Sequence, residues 1–169
     1  IWSNQMRKRY FPNPVPDSFF KGNASEHPDT GLLQNYYAWE WGNALFVTLD
    51  PFWYTTAKPS SYTVNPDEGW KFTLGEAQYN WLKQTLQQST AKFKFVFLHN
   101  LVGGNSKDGR GGIEAAPYFE WGGRNLDGTN SFAQKRPGWS APIHSLLVQY
   151  GVTALVLVDH ALRHHAQCG

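Results

Sequence analysis

Leu74-Gly75-Glu76-Ala77-Gln78-Tyr79-Asn80-Trp81-Leu82, followed by Phe93-Lys94-Phe95-Val96-Phe97-Leu98-His99, decides the fold class of this chain. Thr73 and Glu76 make a capping-box pattern, with Thr73 at the N-cap and Glu76 at N3. Leu74, Ala77, Trp81, Leu82 and Leu86 then recur at helical spacing, which predicts a helix ending near Ser89. Phe93 to Leu98 is a short apolar run interrupted only by Lys94, the length of a buried strand. A helix feeding such a strand predicts an α/β layer. The unit recurs downstream. Pro142 to Tyr150 reads as a short helix ended by Gly151, and Val152 to Val158 as a second buried strand.

Upstream, Tyr36 to Trp41 and Ala44 to Leu49 are runs of strand formers joined by Gly42-Asn43, which predicts a hairpin ending at Asp50-Pro51. Residues 1 to 35 read as loop, because Pro12, Pro14, Pro16 and Pro28 favour extended and turn conformations. Residues 51 to 72 read as irregular. The stretch 103–139 reads as a long glycine-rich loop, a length that is often functional in a compact domain. The 169 residues suffice for one domain, 1–169, with a real core.

Composition narrows the function classes. Hydrophobic residues make up 41% and charged residues 17%, a globular balance rather than a disordered one. The net charge of +2 makes no electrostatic case for nucleic acid, and no apolar window reaches the length of a membrane span. Aromatic residues reach 16%, with eight Trp, and are expected mainly to fill and cover the core. The single cysteine, Cys168, allows no intrachain disulfide and leaves the compartment open, secreted and periplasmic placements included. Asn23-Ala24-Ser25 matches the glycosylation pattern. The chain starts at Ile1 and shows no signal-peptide layout, as expected of a processed or truncated product.

The candidate chemistry sits at strand ends. His99 directly follows the first core strand, and Asp159 and His160 follow the second. In open α/β sheets, ligand groups gather beyond the carboxyl ends of strands. Neutral imidazole binds Zn, Fe and Mn, and Asp159 adds an oxygen ligand or orients His160. His144, in the last predicted helix, and His164, which would share a helical face with His160, are candidate catalytic groups. Arg110 and Arg124, in the glycine-rich stretch, are candidate phosphate binders beside Lys107, Lys135 and Arg136.

The stretch from Tyr36 to Asp50 resembles the strand pair of calcineurin-like metallophosphoesterases, near the purple acid phosphatases, as do Leu74 to Leu82 and Phe93 to His99. Arg136-Pro137-Gly138-Trp139, Pro142-Ile143-His144 and Gly151-Val152-Thr153-Ala154 sit where that family places its last helix and strand. The resemblance covers nearly the whole chain and only the later half of the family fold. It implies an α/β fold, a partial metallophosphoesterase-type layered sandwich with a mixed sheet and flanking helices. It implies a phosphatase acting on a small phosphomonoester, such as an inositol phosphate or a nucleotide. In that family two metal ions activate a bridging water that attacks phosphorus. By this likeness His99 and His160 are metal ligands, Asp159 precedes the latter, and the cofactor is a divalent or trivalent ion, Zn, Fe or Mn.

The sequence also departs from the family. No Asp-x-His, Gly-Asp-x-x-Asp or Gly-Asn-His segment occurs, and the resemblance implies that these lie before Ile1. Leu157-Val158-Asp159-His160 stands where Gly-His-x-His is expected, so the donor set falls short of two metals unless another chain or a second copy completes it. Two other readings follow. Arg163-His164-His165 faintly resembles the start of histidine phosphatases, in which a His is the nucleophile. The non-enzymatic reading is an incomplete remnant that acts as a binding module.

Overall fold

A mixed five-stranded sheet with flanking helices organises the chain, its strands in the order Lys21–Gly22, Tyr37–Trp41, Ala44–Thr48, Phe93–Leu98 and Ala154–Leu157. The computed structural model describes residues 1–56, 68–102 and 110–157. In chain order the elements are α1 (Trp2–Tyr10), β1 (Lys21–Gly22), β2 (Glu26–His27), β3 (Gly31–Leu32), β4 (Tyr37–Trp41), β5 (Ala44–Thr48), α2 (Gly75–Gln88), β6 (Phe93–Leu98), β7 (Leu101–Val102), β8 (Arg110–Gly111), α3 (Phe119–Gly122), α4 (Phe132–Lys135), α5 (Ile143–Gln149) and β9 (Ala154–Leu157). No helix among the described residues is long and apolar enough to cross a membrane.

The predicted hairpin forms as β4 and β5, antiparallel, with Trp39 opposite Phe46. Gly42 turns the chain at φ +57, a conformation that glycine adopts without steric cost. From β5 the sheet continues in parallel to β6 and then to β9. These two crossovers run through α2 and α5, as parallel neighbours require. Ala38, Leu45, Val47, Val96 and Leu98 point to the side where Tyr79, Leu82 and Leu86 of α2 and Ile143, Leu146 and Leu147 of α5 close the core. Trp70, Trp121 and Trp139 join them, so the expectation that Trp fills the core holds for these three.

Lys94, the residue that interrupts the apolar run of β6, is only 9% exposed. Its Nζ donates to the Leu86 carbonyl at 3.4 Å and to the Tyr150 carbonyl at 3.0 Å. These carbonyls belong to the last turn of α2 and to the C-cap of α5. One ammonium thus satisfies orphan acceptors of both crossover helices, at the ends where the helix dipole favours a cation. Its backbone N–H donates to Thr153 Oγ1, and the Thr153 N–H donates to its carbonyl, which sets where β9 begins.

Three expectations change in detail. Trp2–Tyr10 is helical rather than loop, because proline begins only at Pro12 and nothing before it opposes a helix. Lys8 and Arg7 of α1 reach the carbonyls of Thr30 and Leu33, and Gln5 reaches that of Asp29. Helix α2 starts at Gly75 rather than directly after Thr73. Thr73 Oγ1 still accepts from the Gly75 N–H at 2.9 Å, but the Leu74 N–H goes to Glu120. Gly75 takes φ +76, and a Cβ there would lie 2.4 Å from the Tyr54 ring, so glycine is required. The stretch from 110 to 139 holds α3, α4 and buried Phe119, Trp121, Phe132 and Trp139, so much of it belongs to the core.

Replacing Lys94 with Met tests the bridge between the helix ends. The loss of charge-assisted bonds to two carbonyls is expected to destabilise the fold by about 1–3 kcal/mol, read from the urea midpoint at unchanged m-value.

Candidate functional site

Beyond the carboxyl ends of β5 and β6 lies a cleft of about 670 Å³. Parallel strands in neighbouring positions carry their next residues to the same edge, where backbone pairing ends and side chains can meet a ligand. The last registered pair of β5 and β6 is Thr48 with Phe97. Two residues further along, Asp50 and His99 both line the cleft. Asn4 and Arg7 of α1, with Asn13 and Asn35 from the connecting loops, line it too. His99 is half-buried, and its ring lies 5.7 Å from that of Phe52.

Asp50 is held from several directions. Its N–H donates to Gln78 Oε1 at 2.7 Å, and Gln78 Nε2 donates back to the Asp50 carbonyl at 2.8 Å. Gln78 is fully buried on α2, so the helix grips the chain where it leaves the sheet. The Asp50 carboxylate accepts from the Phe52 N–H at 2.8 Å through Oδ1 and from Asn35 Nδ2 at 3.0 Å through Oδ2. Asn35 in turn accepts from buried Asn23 at 3.0 Å. That bond and burial of Asn23 take the matched glycosylation asparagine out of reach in the folded chain.

Arg7 brings positive charge to the cleft. Its Nη2 donates to the Leu33 carbonyl, while its Nη1 and Asn4 Oδ1 are buried without a partner. Partial burial lowers the pKa of the guanidinium from its usual value, and the nearby Asp50 and Tyr37 oppose that shift. It stays charged, since arginine does not deprotonate in proteins. Next to His99, Asn100 is 3% exposed, donates to the Leu101 carbonyl and has an unpartnered Oδ1.

The other sequence candidates fall elsewhere. His144 is exposed on α5 and does not line the cleft. Arg124 is exposed, and its backbone bridges to Tyr118 and Asn130, also away from the cleft. The backbone of Arg110 pairs with Val102 in the short β7–β8 ladder that follows His99. Asp159, His160 and His164 lie outside the described residues, as do Lys107 and the rest of the tail. Among the described residues no three His, Cys, Asp or Glu side chains gather into a metal-sized group. Asp50, Arg7, Asn13 and Asn35 were not among the site residues expected from sequence. Applying the strand-end rule to β5 as well as to β6 and β9 would have found Asp50.

No family model, curated protein or solved structure matches this chain.

Arg136, a candidate phosphate binder, has a structural partner. Its Nε and Nη2 donate to Glu120 Oε2 at 3.2 and 3.1 Å, and Nη2 also donates to the Trp70 carbonyl at 2.6 Å. The guanidinium lies between the rings of Trp70 and Trp139, 5.4 and 5.3 Å from their centroids. Glu120 is fully buried, and burial pushes its carboxyl above the usual range. The Arg136 charge and the bonds from Leu74 and Thr73 pull it back.

Two substitutions separate the supports of the fold from those of the cleft. Gln78→Leu keeps the volume and removes the grip on Asp50, leaving a buried N–H and carbonyl unpaired. Faster hydrogen exchange at the Asp50 amide and a loss of about 2–4 kcal/mol are expected. Glu120→Gln leaves the Arg136 charge buried without its counter-ion, and an unfolding measurement is expected to show a loss of about 3–5 kcal/mol.

Proposed function

We propose that this chain carries the later half of a calcineurin-like metallophosphoesterase domain, and that the cleft takes a phosphate ester for hydrolysis by metal-activated water. The observation that supports this reading best is that His99 and Asp50 both follow adjacent parallel strands into one cleft, beside Arg7. On this reading the sheet is one half of the family's layered sandwich.

The donor types suit the proposed ion. Imidazole and carboxylate together bind Zn, Fe or Mn. The number of donors is small: His99 and Asp50 are two, and both Asp50 oxygens already accept hydrogen bonds. Asp159 and His160, further along the chain from β9, are part of the proposal as additional donors. A bound divalent or trivalent ion would supply Lewis-acid activation of water and of a phosphoryl oxygen. The chain's own groups do the rest. The planar fork of Arg7 matches phosphate oxygens and balances their charge. The amides of Asn13 and Asn35 offer neutral donors along the same wall. His99 would hold the ion.

The small donor set among the described residues also favours a second reading, a module that binds a phosphate-bearing ligand without turning it over. Metal analysis of the purified chain, with p-nitrophenyl phosphate as substrate, separates the two. The hydrolytic reading expects stoichiometric Zn, Fe or Mn, chelator-sensitive turnover, and a loss of metal and rate of about 10–100-fold or more in His99→Ala. Saturable phosphate binding with no metal and no turnover would replace it with the binding module. Unchanged metal content and rate in His99→Ala would remove that residue from the site.

A further inference from the structure

Strand β1 has only two residues, stands at the edge of the sheet and buries neither of them. What it does is deliver the residue that follows it. Gly22 pairs with Tyr37, and the Asn23 N–H then donates to the Tyr36 carbonyl at 3.2 Å. A Cβ at Gly22 would lie 2.8 Å from that carbonyl oxygen, so glycine lets the two strands approach. Asn23 is thereby set beside Asn35, and the two are 4% and 7% exposed. Directly before Asn35, Gln34 takes φ +51, a left-handed conformation uncommon for a residue with a side chain. Such backbone persists only where the surroundings over-determine it, and it clusters at functional sites.

Each amide of this pair has its orientation fixed by the group before it. The Ser25 N–H donates to Asn23 Oδ1 at 3.0 Å, an Asx turn, so Nδ2 is the end that faces Asn35. Asn35 Oδ1 accepts from it at 3.0 Å, which leaves Asn35 Nδ2 for Asp50 Oδ2, also at 3.0 Å. Asp50 Oδ1 takes the Phe52 N–H at 2.8 Å and the Trp53 N–H at 3.4 Å. A carboxylate has about four lone-pair sites, two on each oxygen. The site left over is on Oδ2, the oxygen that Asn35 holds. We propose that Asn23 and Asn35 are positioning residues, whose one-way relay of hydrogen bonds turns Asp50 so that Oδ2 keeps a lone pair for a metal ion in the cleft. The inference rests on the proposed reading of that cleft. Asn23 does not line the cleft and acts only through Asn35. Outer partners of this kind orient metal-binding carboxylates.

Asn23→Asp is nearly isosteric and reverses the first bond. An acceptor then faces Asn35, the Asn35 amide turns over to donate to it, and its Oδ1 meets Asp50 Oδ2, acceptor against acceptor. Chelator competition on the full chain, with Zn(II) as the probe, is expected to show an affinity lower by about 10–100-fold. The added negative charge alone would tighten cation binding, so a loss reports orientation rather than charge. Asn23→Ala removes the donor without adding an acceptor. It is expected to lose about tenfold, and it decides the matter if Asn23→Asp does not fold. Ser25→Ala keeps the backbone donor and is expected to bind Zn(II) as the parent does; a loss there equal to that in Asn23→Asp overturns the proposal. NMR of the metal-free chain is expected to show faster exchange of the Asn35 side-chain N–H protons in Asn23→Ala. Equal exchange overturns the relay without reference to any metal. Parent affinity in both Asn23 variants, even with a lowered melting temperature, marks a merely structural role and overturns the proposal while leaving the reading of the cleft intact. A parent chain that binds no Zn, Fe or Mn removes the reading of the cleft, and the role of the relay with it.

Discussion

The side-chain amide of Gln78 does for Asp50 what a neighbouring strand does for residues inside the sheet. Past Thr48 the β5–β6 ladder ends, and Asp50 would carry an N–H and a carbonyl with no strand partner. Gln78 meets both, at 2.7 and 2.8 Å, from a fully buried position on α2. The helix that covers the core therefore also decides where the chain leaves the sheet. Once the backbone of Asp50 is fixed, its carboxylate can turn toward Asn35 and the Phe52 N–H, and the rim of the cleft is set. An apolar residue at 78 would pack as well and lose that control.

The start of α2 is fixed by a second buried polar group. Glu120 accepts the Leu74 N–H and pairs with Arg136, whose guanidinium rests between two indoles. The segment around α3 and α4 is thereby tied to the N-terminal end of α2, while Lys94 ties the C-terminal ends of α2 and α5. Both devices place a charged group in the core, where removing one partner costs more than the pair contributes in water. Together they hold the helical layer in fixed relation to the strand ends that border the cleft.

How much of this was legible in sequence follows from the length of each pattern. The hairpin, α2, β6, α5 and β9 span enough residues for a period of 2 or 3.6 to show. α3 and α4 have four residues each, too few for any period, and their glycine-rich surroundings read as loop. α1 was hidden by the prolines that follow it. Asp50 was visible as the end of a hairpin, and the turn signal of Asp-Pro obscured its place at a strand end. Lys94 read as an interruption, since sequence alone does not show that two helix termini converge on it. Gln78 lies on the helical face that holds Tyr79 and Leu82, where a polar residue is informative only once its partner is known. The resemblance to metallophosphoesterases directed attention to His99 and equally to His144, which the fold leaves exposed on another element.

The cleft and the sheet face that carries the stacked rings of Trp39, Phe46 and Phe95 are one problem seen from two directions. Thr48 lines the cleft, and by strand parity it stands on the same side as Phe46 and Phe97. Tyr37, opposite Thr48, lies near enough to Arg7 to act on its charge. At Thr48 the aromatic face therefore meets the edge of the cleft. Any layer laid on that face excludes water from the stacked rings and, at its upper edge, from the surroundings of Arg7 and His99. Excluding water there strengthens every interaction between Arg7 and an anion, because the charge is screened less. A sheet covered on its helical side alone thus leaves the edge that carries Arg7 and His99 wetter than the proposed anion binding favours. What covers the rings would also set how strongly the cleft holds the proposed phosphate ester.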